Sequence, residues 1–238
     1  MTSMENTYIC LTAPLLLAVF CLRGGGRRNL VFLLSGMTAC LFSAYISSFL
    51  ASAAGIDLLT ASHEIAPAVE EIMKSAPLLF YLLVFEPKKR SAINGALLVA
   101  VGFATFENVC FLTSYGTSEL LRLAIRGFGT GAMHVVCGIS VAVGLSFLWD
   151  QAWLRTVGGF GLLCFVITFH AIFNVFVNQS GAVFWIGSMI PLGMVLTYLL
   201  ILRGRMPTPA KPAPPGADEC LSRSKADNRQ DARGDHAV

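Results

Sequence analysis

Charge is what this sequence has least of. Asp, Glu, Lys and Arg make up 13% of its 238 residues, about half the share usual in soluble domains. That excludes a water-facing surface over most of the chain. The formal net charge is only +3, and its basic residues stand at the ends of apolar runs, so no basic patch is offered to nucleic acid. Metal and redox spacings are missing as well. The seven cysteines (10, 21, 40, 110, 137, 164 and 220) form no CxxC pair and lie mostly inside apolar runs, where they read as small apolar residues. No HExxH motif occurs. No long internal repeat is visible, which argues against the inverted halves of many carriers. A secretory signal is also lacking. Glu5 is the only charge before the first apolar run, and Arg23, Arg27 and Arg28 follow it, the reverse of a signal's polarity.

What is present is hydrophobicity, at 55% of residues, gathered into runs of about twenty, the length that crosses a bilayer. The pattern predicts an all-α, polytopic transmembrane helix bundle of about seven spans, near 8–22, 29–50, 64–85, 92–113, 122–148, 154–178 and 182–203. The loops alternate in charge. RGGGRR at 23–28, EPKKR at 86–90, Arg155 and the Arg203/Arg205 end are basic, whereas 51–63, 114–121 and 179–181 hold no Lys or Arg. With basic loops inside, the chain is expected N-out and C-in. Residues 1–203 form the expected membrane domain, with the informative part in 64–178. Residues 204–238, Pro-rich and then polar, read as a disordered cytoplasmic tail.

The stretch 66–82, APAVEEIMKSAPLLFYL, breaks the apolar rule with Glu70, Glu71 and Lys74. Three unpaired charges near the centre of a membrane helix would cost about 8–10 kcal/mol, so a shared polar site should meet them. Candidate partners lie in other spans: Glu107 and Asn108 in the fourth, His134 with Thr130 and Arg126 at helical spacing in the fifth, and His170 with Asn174 one turn on in the sixth. Counting along each helix from its outer end puts these groups roughly 9–18 Å deep, in the outer half of the bilayer. Lys74 can pair with either carboxylate, and adjacent carboxylates point about 100° apart, so one can face a site while the other is held. Pro67 and Pro77 flank the motif and are expected to free backbone carbonyls. Taken singly, each feature has a plain structural reading: a buried ion pair, a hydrogen-bonded histidine, an asparagine joining helices, or Gly127, Gly131 and Gly138 as close-packing positions. Their agreement in depth points to one site.

In order along the chain, EEIMK at 70–74 resembles the EExxK motif of PrsW-type intramembrane proteases, and FATFEN at 103–108 resembles their FxxxEN motif. Arg126, Thr130 and His134, then HAIFN at 170–174, resemble the two later motifs. The resemblance covers about half the chain. It implies a peptidase of the wider superfamily that holds the CAAX prenyl endopeptidases, in which a histidine stands where this chain has Glu107. It further implies an integral, multi-pass protein of the bacterial cytoplasmic membrane, surrounded by lipid. The implied partner is a single-span, anti-sigma-factor-like membrane protein cleaved on its extracytoplasmic side.

On that reading Glu70, with Glu71 as alternative, is the base that activates water, and His170 or His134 orients water or protonates the leaving amine. Asn174 is a candidate oxyanion donor, while Lys74, Arg126 and Asn108 support the site. Glu107, His134 and His170 are candidate metal ligands, and zinc and metal-free glutamate catalysis both remain open, the latter slightly favoured. Two other classes stand beside it: an ion- or proton-coupled transporter using the buried charges as a relay, and an inert scaffold with the protease fold.

Overall fold

The computed structural model describes residues 2–85, 88–115 and 120–204. All of its regular elements there are α-helices: α1 (Thr2–Cys21), α2 (Gly24–Ala54), α3 (Leu58–Glu64), α4 (Ala66–Phe85), α5 (Lys89–Tyr115), α6 (Leu120–Leu148), α7 (Ala152–Val177) and α8 (Ala182–Gly204). The chain is a polytopic helix bundle. Six of these helices are both long and apolar enough to cross a membrane: α1, α2, α5, α6, α7 and α8. The remaining long helix, α4, has 20 residues, about 30 Å, and differs from the six by carrying Glu70, Glu71 and Lys74. The compact helical unit ends at Tyr198. The tail expected from residue 204 lies, beyond Gly204, outside the described residues.

Large apolar side chains cover the outside of the bundle. Phe20, Phe49, Phe80, Phe147 and Phe160 are all exposed, an arrangement that suits lipid rather than water. Inside, one apolar cluster joins Leu78 and Leu82 of α4, Ala92 and Ala96 of α5, Cys137 and Val141 of α6 and Val166 of α7. A second joins α1, α2 and α5 through Val19, Leu34, Met37, Cys40, Phe103 and Phe106. Of the cysteines, Cys40, Cys110 and Cys137 are buried, Cys10, Cys21 and Cys164 are exposed, and none of these six is in a disulfide.

The direction of each helix follows from which residues meet. On α5 and α6, Asn108 reaches Gly127 while Ala96 and Ala100 face Gly138, so the two are antiparallel. On α6 and α7, His134 faces His170, Gly144 faces Leu162 and Leu148 faces Gly158, again antiparallel. Helix α4 meets α7 at Glu71 and His170, with α3, which precedes it, on Asn174 further along α7. Helices α4 and α6 therefore run parallel, and Lys74 stands opposite His134.

One element was not expected. The 51–63 loop contains α3, and the span expected to begin at 64 begins at Ala66. Gly55, at φ 67°, ends α2 in the left-handed region that favours glycine. Two residues later Asp57 caps α3, its carboxylate accepting from the backbone N–H of Leu59 and Thr60 and from the Thr60 hydroxyl. That hydroxyl, with the backbone donors, holds the Asp57 carboxyl below its ordinary range. The glycine expectation holds for Gly138, where an added Cβ would lie 3.1 Å from Ala100 Cβ, whereas Gly131 faces open space. The tightest approaches occur elsewhere. A Cβ on Gly36 would lie 2.1 Å from the Val99 carbonyl oxygen, and one on Gly102 would lie 2.0 Å from that of Leu33. Backbone meets backbone where α2 crosses α5, which sets the position of the α5 turns bearing Phe103 and Glu107.

Candidate active site

Six ionisable side chains from four helices form one connected chain. Lys74 Nζ donates to Glu71 Oε1 at 2.6 Å and lies 2.7 Å from His134 Nδ1. An ammonium has only donors, so Nδ1 accepts and the proton of a neutral His134 sits on Nε2. That nitrogen is 2.5 Å from Glu107 Oε2, which accepts from it. On the other side, His170 Nδ1 donates to Glu71 Oε1 at 2.7 Å. In the neutral ring Nε2 then carries the lone pair, and it faces Glu70 Oε2 at 3.6 Å. The two imidazoles stand edge to face, with centroids 5.1 Å apart at 88°.

Burial separates the roles. Glu71, Lys74, His134 and His170 are all buried; Glu71 is held by Lys74 and His170, Lys74 by Glu71 and His134, His134 by Lys74 and Glu107, and His170 by Glu71. Breaking such a buried network from one side leaves an uncompensated charge. The Glu70 and Glu107 side chains keep 17% and 28% of their exposure, so they form the accessible rim. Glu70 Oε2 is a buried oxygen with no hydrogen-bond partner among the described residues. Of the adjacent pair, Lys74 therefore holds Glu71, and Glu70 is the carboxylate left open. A narrow cleft reaches Lys74 and Glu71 from the side of Ser75, Ala96, Ala100 and Gly138.

Phe103 also belongs to the site. It is fully buried, with the Lys74 ammonium 4.9 Å from its ring centroid and the His134 ring centroid at the same 4.9 Å. A cation over a ring face is attracted to it, so Phe103 supports the Lys74 ammonium beside its pairing with Glu71. Its place in FATFEN, one turn before Glu107 on the same helix face, was the available signal.

The structure brings Glu70, Glu71, Lys74, Glu107, His134 and His170 together and places three other expected residues around them. Asn174 donates to the Ser62 carbonyl at 3.0 Å, tying α3 to α7, and Asn178 lies 3.4 Å from His63 Nε2 beside it. Asn108 donates to the Gly127 carbonyl at 3.3 Å, joining α5 to α6. The Arg126 guanidinium stacks on Phe111, 3.5 Å from the ring centroid.

The donor set fits a divalent cation. Glu70, His134 and His170 each offer a ligand atom, and these atoms lie within 4.8 Å of one another. Glu70 thus takes the third place for which Glu107 was the expected candidate. Three carboxylates against the Lys74 ammonium leave negative charge in excess when all are ionised, and the partnerless Glu70 oxygen beside the free His170 nitrogen is the donor arrangement a cation requires.

The sequence model of the family described as PrsW family intramembrane metalloprotease matches residues 14–202, and the chain belongs to that family. No curated protein and no solved structure matches it.

Proposed function

We propose that this PrsW-family member is an intramembrane endopeptidase that hydrolyses a peptide bond with a water activated between Glu70 and His170. One observation carries the reading: a buried, partnerless Glu70 oxygen faces a histidine nitrogen whose opposite nitrogen is already fixed by Glu71. A transporter's relay needs no such stalled pair, whereas a hydrolase needs an acceptor for water's proton next to a group that holds the water.

Glu70 takes the proton as the water oxygen attacks the scissile carbonyl. Glu71 keeps His170 in the tautomer that presents Nε2 to that water. Lys74 neutralises Glu71, so that Glu71 stays a hydrogen-bond acceptor and the negative charge available for base chemistry is concentrated on Glu70. His134 is held by Lys74 and Glu107 and forms the second wall. When a divalent cation is bound, Glu70, His134 and His170 would hold it, and it would supply Lewis-acid polarisation and a more acidic water. Glu107, which accepts from His134 Nε2, would orient that imidazole and could take its proton.

The substrate class is a single-span membrane protein, anti-sigma-factor-like, cut toward the outer face of a bacterial cytoplasmic membrane. The substrate class rests on the family resemblance, and the side of cleavage on the expected N-out, C-in topology, in which Glu70 lies one to two turns below the outer face. The test is purified protein in proteoliposomes with a single-span substrate, comparing wild type with Glu70→Gln and His170→Ala. Cleavage should fall by roughly 10³-fold in Glu70→Gln, the scale of a lost general base, and chelation followed by metal analysis decides metal dependence. Wild-type rates in both variants, or ion flux without cleavage, would overturn the peptidase reading.

A further inference from the structure

Among the described residues, most threonine hydroxyls of the long helices follow one habit. Thr12, Thr38, Thr105, Thr156, Thr168 and Thr197 each donate to the carbonyl four residues back, at 2.7–3.0 Å. Thr113 donates to the carbonyl three residues back. In an apolar helix this is the local way to satisfy a hydroxyl that has no water. Thr130 departs from it. Thr130 is 2% exposed, and its Oγ1 has no hydrogen-bond partner among the described residues.

The register of the bundle says where that hydroxyl stands. Helices α4 and α6 are parallel, and Lys74 meets His134 across them. One turn toward the N-terminus, Glu70 lies above Lys74 and Thr130 lies above His134 on the same helix faces. The level above the ion-paired layer therefore holds two buried polar atoms without partners, Glu70 Oε2 and Thr130 Oγ1. One can accept a proton and the other can donate a hydrogen bond. The amide of Asn174, the donor expected from sequence, is directed at the Ser62 carbonyl instead.

We propose that Thr130 is a catalytic residue, its hydroxyl donating a hydrogen bond to the scissile carbonyl oxygen across from Glu70; this rests on the peptidase reading above. As the water oxygen bonds to the carbonyl carbon, its proton goes to the Glu70 carboxylate and the carbonyl π pair moves onto the oxygen that Thr130 holds. When that pair returns, the C–N bond breaks and the leaving nitrogen takes the proton from Glu70. The unmade hydrogen bond in the free enzyme is then the one made in the transition state, which is the condition for a catalytic rather than a binding effect.

The experiment is steady-state cleavage of a single-span substrate by reconstituted wild type, Thr130→Val, Thr130→Ser and Glu70→Gln, with thermal stability of each. It is accompanied by binding of a peptide phosphinate, a tetrahedral stand-in for the intermediate. Valine removes the hydroxyl at nearly constant shape and should lower kcat by about 10²-fold with KM unchanged, the scale of one lost oxyanion donor. Serine should restore most of the rate, and phosphinate affinity should fall in the valine variant alone of the two. Thr130→Val cleaving like wild type while Glu70→Gln is dead overturns the role of Thr130 and leaves the peptidase intact. Equal losses in valine and serine variants with lowered stability also overturn it, by making Thr130 a packing residue. If Glu70→Gln matches wild type, the peptidase reading fails and the Thr130 proposal falls with it.

Discussion

Helix α5 makes two kinds of contact, built in opposite ways. Toward α2, beside the apolar cluster that Phe103 and Phe106 share with Leu34, Met37 and Cys40, Gly36 and Gly102 bring backbone against backbone, with carbonyl oxygens where a Cβ would overlap them. Toward α6 and α4 it presents Phe103 and Glu107 to a network of charges. The glycine seam is satisfied and featureless, while the polar layer is over-connected below and left open above. Lys74, Glu71 and His134 have their partners, whereas Glu70 Oε2 and Thr130 Oγ1 do not. The difference separates what places the site from what acts in it. A bundle in lipid has little hydrophobic driving force between its helices, so close backbone packing sets where the polar layer sits. Unsatisfied atoms are then tolerated where a substrate or water will meet them.

The largest effect expected from breaking this division is on Glu71→Ala. It strands the Lys74 ammonium in a site with 5% side-chain exposure and frees His170, so stability should fall by about 3–5 kcal/mol, read as loss of folded protein in detergent. Glu70→Gln, one residue away, should leave stability unchanged and remove cleavage. Were the neighbours to behave alike, the separation of a held and an open carboxylate would be wrong. Next comes Gly102→Val, which drives a β-branched side chain against the Leu33 carbonyl. Overpacking of this kind costs about 1–3 kcal/mol, while cleavage per folded molecule should persist. A Gly102→Val protein that folds normally but cannot cleave would show that the seam does more than place the site.

Much of this was legible in the sequence because two of its signals are absolute. A carboxylate or ammonium inside an apolar run must be paired or functional, so Glu70, Glu71, Lys74, Glu107, His134 and His170 announced themselves by depth alone, and the structure brings all six into contact. Helix period and run length did the same for α4 to α8, whose ends lie within three residues of those expected, whereas α1 begins six residues and α2 five residues before the expected start. The remainder was hidden for physical reasons. Nothing in EEIMK says which glutamate Lys74 takes, since both spacings reach it; the answer depends on which face of α4 meets α7. Helix α3 was lost in a loop without Lys or Arg because its stability comes from the Asp57 cap rather than from a hydrophobic run. Gly36 and Gly102 look like any other glycine until the helix across from them is known. Thr130 was visible as part of a stripe, but its missing hydrogen bond exists only in three dimensions.

The smallest effect concerns Asn174, and it tests whether the upper layer is drawn correctly. Its spacing from His170 fits an oxyanion donor, yet its amide donates to the Ser62 carbonyl and so fastens α3 beside α4 and α7. If that contact is its main work, Asn174→Ala should cost about 1 kcal/mol of stability, one net hydrogen bond, and should slow cleavage by no more than the loosening of α3 implies. Ser62 contributes only backbone to the contact, so Ser62→Ala should leave both properties at wild type, which isolates the amide as the cause. A fall in kcat of about 10²-fold for Asn174→Ala at unchanged stability is the signature of a lost transition-state donor. That outcome would mean the amide turns from Ser62 to the substrate during reaction, making α3 the element that yields when a substrate enters. Combining Asn174→Ala with Thr130→Val then decides between the two donors. Donors acting on one oxygen give losses that do not add, while an anchor and a donor, acting separately, give losses that do.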